Sequence, residues 1–122
     1  MNVYDKANDL ARAVKESDEF KRYQKAAQKI DTSEEHKKMI KDFMNLQYRS
    51  YVAQMNGEEP DEKLINEFNL LYSTISNISD IKEFLESQMY FARLMEDIQK
   101  TIAEASDTGV EFLNNGYLTE DK

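Results

Sequence analysis

Few residues in this chain could do covalent chemistry. It holds one histidine, His36, and no cysteine among 122 residues. A zinc site built on imidazoles needs a second His, and a di-iron bundle needs paired Glu-x-x-His repeats. Thiolate zinc sites, iron–sulfur ligation and nucleophilic cysteine chemistry all need sulfur that the chain lacks. His36, beside Glu34 and Glu35, is expected as an exposed imidazole in a first helical turn. Loops that cradle phosphate need glycines close together, whereas Gly57, Gly109 and Gly116 stand far apart, so no P-loop or dinucleotide-binding turn is present. Carboxylate pairs such as Glu83 with Glu86, or Glu96 with Asp97, could bind a hard cation or act as acid and base, but on helices of an acidic protein they read as the solvated face. The run Glu58, Glu59, Asp61, Glu62 lacks the alternating ligands and central Gly of an EF-hand, and acids ahead of a helix are explained by its dipole. No catalytic residue, cofactor or metal is assigned, and the protein is expected not to be an enzyme.

Charge gives a second candidate. The 16 Lys and Arg against 24 Asp and Glu leave a net charge of −8, which repels phosphate unless basic residues gather on one face. They do gather locally: Lys21, Arg22, Lys25 and Lys29 are followed by Lys37, Lys38 and Lys41, with Asp31, Glu34 and Glu35 opposing them. Such a shoulder suits RNA or an acidic protein surface. The plainer reading is a solvated face with intrahelical pairs such as Glu34 with Lys38.

The elements that carry these residues are helical, because 3 Gly and 1 Pro are few breakers and apolar residues recur at steps of three and four. Tyr4, Ala7, Leu10, Ala11 and Val14 make a first stripe, and Ser17 followed by two acids caps a second helix with Phe20, Tyr23, Ala26, Ala27 and Ile30. Thr32 with Glu35 fits a capping box opening a third helix, which carries Met39, Ile40, Phe43, Met44, Tyr48, Tyr51, Val52 and Met55 and stops at Asn56-Gly57. After the turn through Pro60 and Asp61, a fourth helix places Leu64, Ile65, Phe68, Leu71, Tyr72 and Ile75 on one side. Asn77 or Ser79 is the expected cap of a fifth helix reaching about Ala105. Neighbours joined so tightly should pack antiparallel.

The fold class is therefore all-α, an elongated bundle of about five helices with two long antiparallel ones, forming a single domain over 1–106. Residues 107–122 form a C-terminal tail, partly disordered or serving as a docking segment through Val110, Phe112, Leu113, Tyr117 and Leu118. The third and fifth helices should each run about 35–40 Å, long for a chain whose expected radius of gyration is roughly 14 Å. Their wide apolar faces imply a second chain covering what one cannot, and a homodimer is expected. The residues assigned to this dimer or partner interface are Phe84, Phe91, Leu94, Met95 and Ile98 on the fifth helix and Tyr48, Tyr51 and Met55 on the third. Met39, Met44, Met55, Met89 and Met95 would form an adaptable binding groove only where they stay exposed; otherwise they pack the core. No apolar run is long enough to span a bilayer and no signal peptide is evident, so a soluble, cytoplasmic protein is expected.

Several dispersed segments carry a family resemblance. Asp5-Lys6-Ala7 with Leu10-Ala11-Arg12-Ala13, Lys15-Glu16-Ser17-Asp18-Glu19-Phe20, Gln54-Met55-Asn56-Gly57, and Phe91-Ala92-Arg93-Leu94-Met95-Glu96-Asp97-Ile98-Gln99-Lys100 resemble the YlbF/YmcA superfamily of small helical bacterial proteins, its YheA-like branch in particular. The resemblance spans about residues 3–106. It implies a helical regulator, since relatives in other branches act in competence, sporulation and biofilm formation, assemble with a third protein and influence messenger RNA processing by a membrane-anchored ribonuclease. It maps no catalytic residue, and without cysteine this chain cannot ligate the iron–sulfur clusters of that complex. Where the branch often has Asn-Pro before its last helix, this chain has Asn77-Ile78-Ser79. The expected function is a non-enzymatic adaptor acting through protein–protein contact. The alternative is an RNA-associated accessory factor using Lys21, Arg22, Lys25 and Lys29.

Overall fold

A backbone with few breakers satisfies its own hydrogen bonds helically, and the computed structural model, which describes residues 2–59 and 61–113, is all-α. Its helices are α1 (Val3–Lys15), α2 (Asp18–Ile30), α3 (Glu34–Met55), α4 (Glu62–Ile75) and α5 (Ser79–Ala105), with 111–113 also helical and no strand among the described residues. Pro60 and the tail from 114 to 122, including Gly116, Tyr117 and Leu118, lie outside the described residues.

Local side chains set most of the boundaries. Asn2 accepts from the backbone N–H of Tyr4 at 2.8 Å, Ser17 from Phe20 at 3.1 Å and Asp61 from Leu64 at 2.7 Å, each satisfying a donor that the first helical turn leaves free. Gly57 ends α3 in the left-handed region at φ +74°; its N–H donates to the Gln54 carbonyl at 3.1 Å, and that of Glu58 to Ala53 at 2.8 Å, the paired bonds of a Schellman motif.

Two caps differ from the sequence expectation. Ser33, not Thr32, caps α3 by accepting from His36 N–H at 3.1 Å, while the Thr32 hydroxyl donates backwards to the Lys29 carbonyl at 2.7 Å and so closes α2. Neither Asn77 nor Ser79 caps α5. Asn77 donates its side-chain amide to the Ser73 carbonyl at 3.1 Å, sealing the end of α4, and Ser79 is the first helical residue. The cap position falls to Ile78, which makes no side-chain cap bond but packs against the core.

The helices associate as two antiparallel pairs, each joining a long helix to a shorter one. In the first pair, Phe20 of α2 meets Phe91 of α5 with ring centroids 5.4 Å apart, Tyr23 stacks on Phe91 at 5.5 Å and contacts Phe84 at 5.7 Å, and Lys29 approaches Asp80. In the second, Phe43 of α3 packs on Phe68 and Tyr72 of α4 at 5.3 and 6.2 Å. The buried core lies where the two pairs meet, drawing Ala26 and Ile30 from α2, Ile40 and Phe43 from α3, Ile75 from α4, and Ile81 and Phe84 from α5. These are the last turns of α2 and α4 and the first turns of α3 and α5, so the pairs join at their ends rather than along their lengths. Leu46 and Leu64 extend burial into the α3–α4 arm. By contrast, α1 has no buried residue, and its principal contact is with α2.

Ile75 and Ile81 are fully enclosed at this junction. Ile81→Ala should lower unfolding stability by about 2–5 kcal/mol in urea denaturation, whereas Leu70→Ala on the exposed side of α4 should change it by no more than about 0.5 kcal/mol. Equal effects would place the core elsewhere.

Candidate functional site

Part of the basic shoulder is engaged by the fold. Arg22 on α2 donates two hydrogen bonds to the Glu83 carboxylate of α5, Nε to Oε2 and Nη2 to Oε1, both at 2.7 Å, and lies 3.6 Å from Glu86. Its guanidinium also sits over the Tyr90 ring, 5.4 Å from the centroid. Lys29 lies 3.7 Å from Asp80. On α3, Lys37 pairs with Glu34 at 2.9 Å and Asp31 at 3.1 Å, and Lys38 with Asp42 at 2.9 Å. The Arg22 hydrogen bonds hold the Glu83 carboxyl below the usual range, with the positive fields of Arg22, Lys25 and Lys29 adding to them. Reciprocally, Glu83 raises Arg22, and Glu34 followed by Asp31 raises Lys37. Glu83 and Glu86, which by spacing could have been an acid–base pair, are thus the anchors of an interhelical ion pair. Lys21 and Lys25 are exposed cations of the stripe with no ion pair within 4 Å among the described residues.

The sequence carried a signal for this pairing. Arg22 and Lys29 stand seven apart on α2, and Asp80, Glu83 and Glu86 recur every three on α5, so one face of each helix is charged with opposite sign. What the spacing does not disclose is that α2 and α5 are neighbours.

His36 is half-buried rather than fully exposed, and it stands alone. Among the described residues no group of three or more His, Cys, Asp or Glu side chains is placed to hold a metal ion. No described helix is long and apolar enough to cross a membrane.

The residues expected at a dimer or partner interface fall into two separate sets. Tyr48, Tyr51 and Met55 project from the outer half of α3, 66%, 58% and 68% exposed, and share the α3–α4 arm with exposed Met44, Ile65, Leu70 and Tyr72. Between the helices of that arm lies an open groove lined by Gln47, Tyr51, Gln54, Ile65 and Phe68. The second set runs down α5. Phe84 belongs to the chain's own core, and Phe91 is half-covered by Phe20 and Tyr23. Leu94, Met95 and Ile98 are half-exposed, and beyond them Ile102 is exposed. Of the methionines, Met44, Met55 and Met89 are exposed, while Met39 and Met95 are partly covered. Sequence reasoning missed α1 as part of any surface, although Val3 and Tyr4 are 78% and 81% exposed. In the tail, Val110, Phe112 and Leu113 are also exposed.

The total surface of the chain, polar and apolar together, is also large. The accessible surface is 9785 Å², against about 6,800 Å² for a globular monomer of this mass. Granting the residues outside the described set the full area of an unfolded chain, about 1,900 Å², still leaves roughly 1,100 Å² in excess. Each partner in a standard stable interface buries about 800 Å².

Fold and surface together define an all-helical protein whose distinguishing feature is uncovered apolar helix rather than an enclosed pocket. The chain belongs to the YlbF/YmcA family: the family model described as "Control of competence regulator ComK, YlbF/YmcA" matches residues 3–105. It is similar to a "UPF0342 protein" of Caldicellulosiruptor saccharolyticus, 42% identical over 106 residues that cover 87% of this chain and 88% of the relative. A "UPF0342 protein" of Caldicellulosiruptor bescii is 41% identical over 99% of this chain and 98% of its own length, and one of Clostridium tetani is 37% identical over 92% and 97%.

Two predictions follow from the ion pairs. Because the Glu83 pKa is depressed in the folded chain, its contribution is present above the unfolded value and is lost as pH falls through the folded one. Glu83→Gln should therefore lower Tm at pH 7, and the gap to wild type should narrow by pH 3; a gap independent of pH would show that Glu83 stabilises without its charge. With Arg22 and Lys29 engaged by α5, mixed-sequence RNA at low salt should not shift in a gel with wild type, nor with Lys21, Arg22, Lys25 and Lys29 changed to Glu. A shift by wild type alone would restore the RNA reading.

Proposed function

We propose that the protein is a non-enzymatic regulatory adaptor, homodimeric, that works by presenting helix faces to other proteins. The observation that carries this reading is the set of large apolar side chains left exposed on α1, α3, α4 and α5, among them Val3, Tyr4, Tyr48, Tyr51, Met55, Leu70 and Ile102. The division of those faces supports two contacts, one for self-association along α5 and one for a partner at the α3–α4 arm. Family membership adds support: the family is described by control of a competence regulator, a task that needs recognition of macromolecules. The name given to the relatives specifies no reaction.

Phe91 is a poor place to test self-association, because it packs on Phe20 and Tyr23 within the chain and a charge there would break the α2–α5 pair. Ile98 lies beyond those contacts. Light scattering at micromolar concentration should return about twice 14.3 kDa for wild type, and a helical monomer for Ile98→Asp, since an unpaired charge in an apolar seam costs several kcal/mol. In affinity purification from the native bacterium, Tyr51→Asp should lose a protein partner that wild type retains, while staying dimeric. A monomeric wild type, or a partner set indifferent to both changes, would contradict the proposal.

A further inference from the structure

Two apolar stripes in this chain match each other, and among the described residues each is at most partly covered, Phe91 by Phe20 and Tyr23. Along α1, Val3, Ala7, Leu10 and Val14 follow one another by steps of 4, 3 and 4; along α5, Phe91, Met95, Ile98 and Ile102 do the same. That alternation is the seam of one helix packed lengthwise on another. Both stripes span eleven residue steps, a rise of about 16 Å. On α1 only Val14 is even half-buried, and on α5 no residue after Ser87 is buried. The principal contact of α1 is with α2, and α2 begins only where Phe20 meets Phe91, so the α5 stripe runs on past its in-chain partner.

We propose that two copies of the chain exchange these segments, α1 of each protomer laying its stripe along the α5 stripe of the other. This rests on the homodimer reading above and deepens it by naming what fills the seam. A two-fold axis makes the exchange reciprocal, so that each copy gives one stripe and receives one, and a single contact occurring twice covers both bare faces. A second copy is favoured as occupant for three reasons. It brings a stripe of the required length and step, and the roughly 1,100 Å² by which the chain's total surface exceeds that of a compact monomer is of the size each partner buries in a stable interface. The charges are also opposite in sign: α1 carries Asp5, Lys6, Asp9, Arg12 and Lys15, one positive in sum, whereas 91–105 carries Arg93, Glu96, Asp97, Lys100 and Glu104, one negative in sum.

The absence of native cysteine makes the test clean. If the stripes run parallel, Leu10 faces Ile98; if antiparallel, it faces Met95. The double variants Leu10→Cys with Ile98→Cys, and Leu10→Cys with Met95→Cys, are oxidised with copper phenanthroline and run without reductant, circular dichroism confirming that each stays helical. Paired helix positions lie within disulfide reach, so one of the two variants should pass largely into a covalent dimer. Mixing the corresponding single-cysteine chains should give the same cross-link in the mixture. A fast-migrating cross-linked monomer would overturn the exchange by showing that α1 closes on its own α5. No cross-link, with wild type still dimeric by light scattering, would overturn the exchange while leaving the homodimer standing on another face. A monomeric wild type would overturn both.

Discussion

Burial in this protein is confined to a junction. Ile30, Ile40, Ile75 and Ile81 bring together the ends of four helices, and the two antiparallel pairs leave that meeting point without lying along one another. A core so placed can enclose only the turns nearest to it. Everything beyond is a two-helix arm or, for α1, a single helix, and such elements cover one face of an apolar stripe at most. The large accessible surface is a consequence of this topology, and the residues left outside include Tyr48, Tyr51, Met55, Ile102, Val3 and Tyr4.

The electrostatics serve the same topology. Arg22 closes on Glu83 and Glu86, and Lys29 approaches Asp80, along the edge of the α2–α5 pair beside the Tyr23, Phe84 and Phe91 rings. Half-exposed ion pairs contribute modest stability, but opposite charge on facing helices selects which helices pair and in which direction. They also engage Arg22 and Lys29, two of the cations that otherwise look suited to phosphate.

Most of the helical layout was legible in the sequence, for local reasons. Ser17, Asn56-Gly57 and Asp61 mark boundaries through hydrogen bonds and a left-handed φ that involve only neighbouring residues. Misplaced caps show where local rules compete: Thr32 satisfied the helix behind it, and Ile78 gave up a cap bond for burial against the core. Tertiary pairing was not legible. Phe84 looked like an interface residue because its stripe continues into Phe91 and Met95, yet it lies at the junction and is covered by Tyr23. The expected interface residues on α3 and α5 formed one set in sequence and two surfaces in space, since periodicity gives the face of a helix but not the helix opposite. For the same reason the stripe of α1 reads in sequence as an ordinary amphipathic face, although α1 holds no buried residue.

The central claim is that apolar helix left bare by one chain is covered by another, and the segment most dependent on that cover is α1, whose stripe has no buried residue of its own. Amide hydrogen exchange of residues 3–15, followed by mass spectrometry over a dilution series, measures this directly. Cover by a second chain predicts protected α1 amides at tens of micromolar and progressive loss of protection on dilution, while amides around Ile75 and Ile81 exchange at an unchanged rate until the dimer is lost. Protection of α1 that is independent of concentration, or absent at every concentration, would contradict it.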